Sequence, residues 1–186
     1  LVTGASSGIG EAVSLALARL GIRVAIAARR AERLHQLREE LLAAGAPEVL
    51  VLPMDLRKED QILEGFASVK ETWGRLDILV NNAGLGYDAS LVHGDTEAWR
   101  EMLEVNVLAL CIATREAIAL MKKTDAAGHI FHISSMSGHR IPEGGGVYSA
   151  TKFAVRSLTE GLRQELRAAE SPIRISSISP GFVQTE

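Results

Sequence analysis

The chain has 186 residues, a net charge of −3, and 47% apolar against 23% charged residues. That is ordinary globular composition for about one domain, spanning 1–186, and it excludes a disordered chain, a collagen-like chain and a disulfide scaffold. No apolar run nears the roughly 20 residues of a membrane span, the weak negative charge argues against nucleic acid as a partner, and a lone Cys111 fits a reducing, cytoplasmic setting.

Leu1, Val2 and Thr3 read as a short first strand, so the chain opens directly on a motif. Ile9, Ala12, Val13, Ala16, Leu17 and Leu20 recur at helical spacing, with Gly21 at the stop. A buried strand follows over 22–28. Leu34, Leu37 and Leu41 mark a second helix, ended near Gly45, and 49–52 is a third strand. Ile62, Phe66, Val69 and Trp73 mark a third helix, and 76–80 a fourth strand. One long helix is expected over 97–123, with Trp99, Leu103, Leu110, Ala117 and Leu120 among its apolar positions. A strand at 130–133, a helix at 148–168 and a strand at 173–178 complete the series. The end at Glu186 reads as a loop, so both ends look trimmed and the C-terminal end of the fold looks missing.

Strands alternating with helices imply an α/β fold, a doubly wound parallel sheet with helices on both faces. Ligands in such sheets bind at the carboxyl ends of the strands. Thr3-Gly4-Ala5-Ser6-Ser7-Gly8-Ile9-Gly10 stands there, between the first strand and the first helix. Its glycines allow a tight turn against a phosphate, and the helix N-terminus offers free N–H groups and a positive dipole end. The alternative is a glycine-rich turn with no ligand.

This loop, together with Asn81-Asn82-Ala83-Gly84, Tyr148-Ser149-Ala150-Thr151-Lys152, and Pro180-Gly181 with Thr185, resembles the short-chain dehydrogenase/reductase family in its standard form. The motifs run over the whole chain in the family's order. The resemblance implies a Rossmann fold, hydride transfer at a nicotinamide cofactor and a carbonyl or alcohol substrate. It places Gly4, Ser6, Ser7, Gly8, Ile9 and Gly10 on the cofactor's phosphates, Asp55 and Leu56 at its adenine, and Asn82, Ala83 and Gly84 beside its ribose. Tyr148, Lys152, Pro180, Gly181, Val183 and Thr185 complete the cofactor contacts that the resemblance implies. For Asp55 the alternative is a helix cap near Lys58.

NAD-binding units of this type carry an acid after the second strand, on the ribose hydroxyls. Here that tip reads Ala27-Ala28-Arg29-Arg30. Guanidinium groups suit phosphate, so Arg29 and Arg30 point to NADP(H), with Arg29 as the contact to the 2′-phosphate. The alternative is an ordinary solvated helix start.

Tyr148 and Lys152 are separated by 152 − 148 = 4 positions and share a helix face. A free tyrosine is a poor acid or base near neutrality, and a nearby ammonium favours its phenolate. Taken alone, the pair is equally a solvated helix face. Ser135, placed 148 − 135 = 13 residues earlier, matches the family's spacing and would hold the substrate oxygen; Ser134 is the rival. Asn106 lies inside a helix, where asparagine is a poor fit. The resemblance explains it by a water held in a helix distortion, relaying protons toward Lys152; a polar residue on an exposed turn is the alternative. Asn106, Ser135, Tyr148 and Lys152 thus match the family's catalytic tetrad, with Tyr148 as proton donor or acceptor.

The histidines lack metal-ligand spacing, so no metal site is expected. His132 reads as a satisfied core group, and His139 with Arg140 as either a substrate contact or a solvated loop. Ser137-Gly138-His139-Arg140 and Thr159-Glu160-Gly161-Leu162 resemble a subgroup with farnesol dehydrogenase-like and ketosteroid/carbonyl reductase members, which implies an apolar substrate. The family resemblance also implies a homodimer or homotetramer through segments 99–121 and 155–166. A regulatory nucleotide-binding protein on the same fold is the competing function.

Overall fold

The computed structural model describes residues 1–124 and 127–184. Strands β1 (Val2–Thr3), β2 (Val24–Ala28), β3 (Val49–Pro53), β4 (Ile78–Asn81), β5 (His129–Ile133) and β6 (Arg174–Ile178) alternate with helices α1 (Gly8–Arg19), α2 (Ala31–Ala44), α3 (Glu59–Trp73), α4 (Thr96–Leu103), α5 (Ala109–Lys123) and α6 (Gly146–Ala168). The strands form one sheet in the order β3-β2-β1-β4-β5-β6, with every pair parallel. This is the expected doubly wound α/β architecture. Its order reverses between β1 and β4, where such sheets hold ligands.

The inner strand β2 is apolar because both its faces are covered, whereas the edge strand β6 carries Arg174, Ser176 and Ser177 and is only partly covered. In β2 all five residues are buried, and the pleat sends them alternately to two cores. Ala25 and Ala27 pack with Ile62, Phe66, Ala113 and Ala117 of α3 and α5. Val24 and Ile26 pack with Leu34, Leu37 and Leu41 of α2. α2 closes on Gly45 at φ 115°, a left-handed conformation that suits glycine.

Three expectations are corrected. The face of α1 turned to the sheet is Gly10, Ser14 and Ala18, while Ala12 and Ala16 are exposed and Leu20 is 75% exposed. The fully buried positions are small, which lets this helix lie close to the sheet, while Val13 and Leu17 of the expected stripe pack half-buried against the same core. The helix expected over 97–123 is interrupted by a π-helical turn, Glu104–Leu108, between α4 and α5. Leu103, just before that turn, is exposed rather than core.

Candidate active site

The C-terminal ends of the strands open onto a cleft of about 650 Å³, within the usual range for cofactor sites. Its floor at the switch point is built by ties from two side chains, Thr3 and Asn82, to backbone groups. The Thr3 hydroxyl accepts from the N–H groups of Asn82 and Ala83, each at 3.1 Å. The Asn82 amide donates to the carbonyls of Thr3 at 2.9 Å and Gly4 at 3.2 Å. Gly4 has φ +64°, and a Cβ there would stand 2.8 Å from the Ala83 Cα. In the sequence Thr3 heads the glycine-rich motif without a role of its own, because nothing local shows that its hydroxyl meets a loop 79 positions away.

Ser6, Ser7, Gly8 and Ile9 line the cleft at the start of α1. Ser7 occupies the cap position without a side-chain hydrogen bond to the helix. The first-turn N–H groups are therefore left for an anion. Gly10 does not line the cleft. Its hydrogen faces the Gly4 carbonyl oxygen and the Asn82 amide, which a Cβ would approach to 2.3 and 2.5 Å.

Arg29 and Arg30 stand at the next wall. The Arg30 guanidinium donates to the Ser6 hydroxyl and carbonyl, both at 3.2 Å. Arg29 makes no hydrogen bond or salt bridge among the described residues. Asp55 and Leu56 line the same end. Asp55 does not cap α3; its carboxylate accepts from the Arg57 backbone N–H at 3.0 Å and pairs with the Arg57 side chain at 2.6 Å. The bonds from Arg57 hold that carboxyl below the usual range. Arg57 also pairs with Glu101, which accepts from the Tyr87 hydroxyl, a cluster the sequence did not announce.

Ser135, Tyr148 and Lys152 line the other end, with Asn82, Ala83 and Gly84 between. The Lys152 ammonium lies 5.7 Å from the Tyr148 ring centre and donates to the Ile133 carbonyl at 3.1 Å. Burial lowers its pKa to about 8. Ser135 starts a short 3-10 turn, Met136–Gly138, and its hydroxyl accepts from the Ser137 N–H at 3.1 Å. Its rival Ser134 also lines the cleft, with its buried hydroxyl donating to the Lys152 carbonyl at 3.3 Å.

Asn106 sits in the π turn, 1% exposed, which removes the exposed-turn alternative. Its side chain lies behind the cleft rather than on its wall. Pro180, Gly181 and Val183 line the rim, and Thr185 lies outside the described residues. His132 is buried and bonded to Thr114 at 3.2 Å and Thr159 at 2.9 Å. His139 is tied to the Ser179 hydroxyl at 2.9 Å. Among the described residues no cluster of His, Cys, Asp or Glu could hold a metal ion, and no helix is long and apolar enough to cross a membrane.

Comparison with known proteins agrees with this fold. A family model described as short chain dehydrogenase matches residues 1–186. "Dehydrogenase/reductase SDR family member 11" of Bos taurus is 48% identical over 190 residues, covering all of this chain and 74% of that protein. Farnesol dehydrogenase of Aedes aegypti is 42% identical over 190 residues, covering all of this chain and 77% of that protein. Among solved structures, an alcohol dehydrogenase from Thermococcus sibiricus complexed with 5-hydroxy-NADP superposes with a TM-score of 0.91 at 35% identity, over 98% of this chain and 75% of that one. A Burkholderia phymatum short chain dehydrogenase/reductase in complex with NAD gives 0.95 at 33% identity, over 99% of this chain and 65% of that one.

Proposed function

The chain belongs to the short-chain dehydrogenase/reductase family, and from that membership we propose that it is an NADP(H)-preferring oxidoreductase that interconverts an apolar carbonyl compound and its alcohol. The observation that carries this reading is one cleft with Ser135, Tyr148 and Lys152 at one end and a freely presented Arg29 at the other.

The residues fit a dinucleotide. The uncapped start of α1 and the close-packed Gly4 and Gly10 suit its pyrophosphate. Arg29 suits a 2′-phosphate, with no carboxylate at the β2 tip to repel it. Asp55, Leu56, Asn82, Ala83, Gly84, Pro180, Gly181 and Val183 take the remaining surface. When bound, the nicotinamide supplies or accepts a hydride.

The chain's own groups handle the proton and the oxygen. The Ser135 hydroxyl holds the substrate oxygen. The Tyr148 hydroxyl gives that oxygen its proton in reduction and takes it back in oxidation. The Lys152 ammonium favours the phenolate left behind; at a pKa of about 8 it is charged at neutral pH yet able to exchange protons. Asn106 supports the relay from behind. Exposed Leu91, near Gly146 at the start of α6, and Met136, next to Ser135, favour an apolar substrate. The same reading makes 1–186 one domain bearing cofactor and chemistry, in a cytoplasmic homodimer or homotetramer.

The test uses the full-length protein with NADPH and, separately, NADH, against aliphatic, terpenoid and steroid carbonyls, following loss of reduced nicotinamide. Faster turnover with NADPH is expected. Cofactor binding without turnover on any of them favours a regulatory nucleotide-binding protein instead.

A further inference from the structure

The reading above uses Tyr148, Lys152 and Ser135 but leaves the Thr151 hydroxyl and the Asn106 amide unexplained. Thr151 is fully buried. Its hydroxyl accepts from Asn106 Nδ2 at 3.0 Å and donates to the Tyr148 carbonyl at 2.7 Å. The same Nδ2 donates to the Leu85 carbonyl at 2.8 Å, and Asn106 Oδ1 accepts from the Leu85 N–H at 2.9 Å. One amide and one hydroxyl therefore join three separate pieces: the π turn, the loop after β4, and the first turns of α6.

That first turn needs such a tie. α6 begins at Gly146 with no side-chain cap, directly after Gly144 and Gly145, so little in its own sequence fixes where Tyr148 stands. The Leu85 loop lines the cleft, and the missing side chain of Gly86 leaves only enough room for the Tyr148 ring, which a Cβ would approach to 3.1 Å. We propose that Thr151 is a positioning residue: its hydroxyl, through Asn106, fixes Tyr148 and Lys152 against the Leu85 loop and so against the reacting atoms. This rests on Tyr148 being the proton donor.

The role requires a hydroxyl that accepts one hydrogen bond while donating another. Serine can do this and isosteric valine cannot. The test compares Thr151→Val, Thr151→Ser and Tyr148→Phe with the wild-type full-length protein. It reads kcat, KM, the pH profile of kcat, NADPH affinity by fluorescence, and Tm. Thr151→Val should lower kcat about tenfold or more, since small misplacements of reacting groups are costly. It should displace the pH profile of kcat, and Thr151→Ser should restore both kcat and profile.

A wild-type kcat and profile in Thr151→Val overturn the proposal, as does a fall in Tm alone, which would make Thr151 a purely structural group. Failure of Thr151→Ser to restore activity overturns it too. If the valine variant does not fold, Thr151→Ala takes its place against serine. Turnover retained in Tyr148→Phe sinks the proton-donor reading and this proposal with it, whereas a dead Tyr148→Phe beside an unaffected Thr151→Val sinks only the proposal.

Discussion

The Lys152 ammonium donates to the Ile133 backbone carbonyl at 3.1 Å from a side chain that is 4% exposed, and no carboxylate pairs with it among the described residues. Burial alone brings its pKa from 10.5 to about 8. Between those two values the unfolded chain binds more protons than the folded one, so stability rises with pH across that window. Below pH 8 the whole cost of the buried charge is present, about 3 kcal/mol. Lys152→Met removes that cost but leaves the Ile133 carbonyl unpaired, a loss of about 1 kcal/mol. The cofactor-free variant should therefore melt several degrees higher at pH 7, lose that advantage near pH 10.5, and be inactive. Thermal melts at both pH values check this; an unchanged or lower Tm at pH 7 refutes the buried-charge account.

His132 shows the same sign in a lower window. It closes a buried chain in which Asn81 donates to Thr114, Thr114 meets one ring nitrogen, and Thr159 meets the other. Burial lowers its pKa from 6.5 to about 4. The stability this neutral ring lends is complete above pH 6.5 and lost as pH falls toward 4, by up to about 3 kcal/mol. His132→Gln should be less stable than wild type at pH 7.5, and the gap should narrow by pH 4.5. Urea melts at the two values decide it. A constant gap would mean the ring protonates without cost in the folded state.

Arg29 and Arg30 should separate in their effects. Arg29→Glu should invert the preference for NADPH over NADH, because a charged contact to phosphate contributes about 1.5–3 kcal/mol. Arg30 instead braces Ser6 in the phosphate loop, so Arg30→Ala should weaken both cofactors together. The ratio of kcat/KM for NADPH to that for NADH is the measurement, and an unchanged ratio in Arg29→Glu removes its assignment to the 2′-phosphate.

Strong periodicity made part of this fold readable. Leu34, Leu37 and Leu41 are all buried, and Gly45 ends their helix as its position suggested. Glycine-marked turns at strand ends likewise located most of the cleft. α1 hid its buried face because Gly10, Ser14 and Ala18 have almost no hydropathic contrast. The π turn left one trace, an asparagine misplaced in a helix. Thr151 left none, since its partner Asn106 is 45 positions away and a helical threonine reads as surface. The pairing of Arg57 with Glu101 was equally hidden, because the loop before α3 and helix α4 are 44 positions apart in sequence and meet only on folding.

Two glycines test whether close approach, rather than flexibility, explains the phosphate loop. Gly10 and Gly161 both lie within helices, so alanine should improve either by up to about 1 kcal/mol on helix propensity alone. At Gly161 a Cβ meets nothing within 4 Å, so that gain should appear as a higher Tm. At Gly10 the Cβ would meet the Gly4 carbonyl oxygen at 2.3 Å and the Asn82 amide at 2.5 Å. That amide is already bonded to Thr3 and Gly4, so neither neighbour can yield without opening the joint between β1 and β4. Overpacking of this kind costs about 1–3 kcal/mol. Gly10→Ala should therefore lower Tm and weaken NADPH and NADH alike, even though Gly10 itself does not line the cleft. Unimpaired affinity in a stably folded Gly10→Ala would show that the loop tolerates separation from Asn82, and that its glycines serve turn geometry alone. A lower Tm in Gly161→Ala would instead mean that a second chain packs on that face of α6.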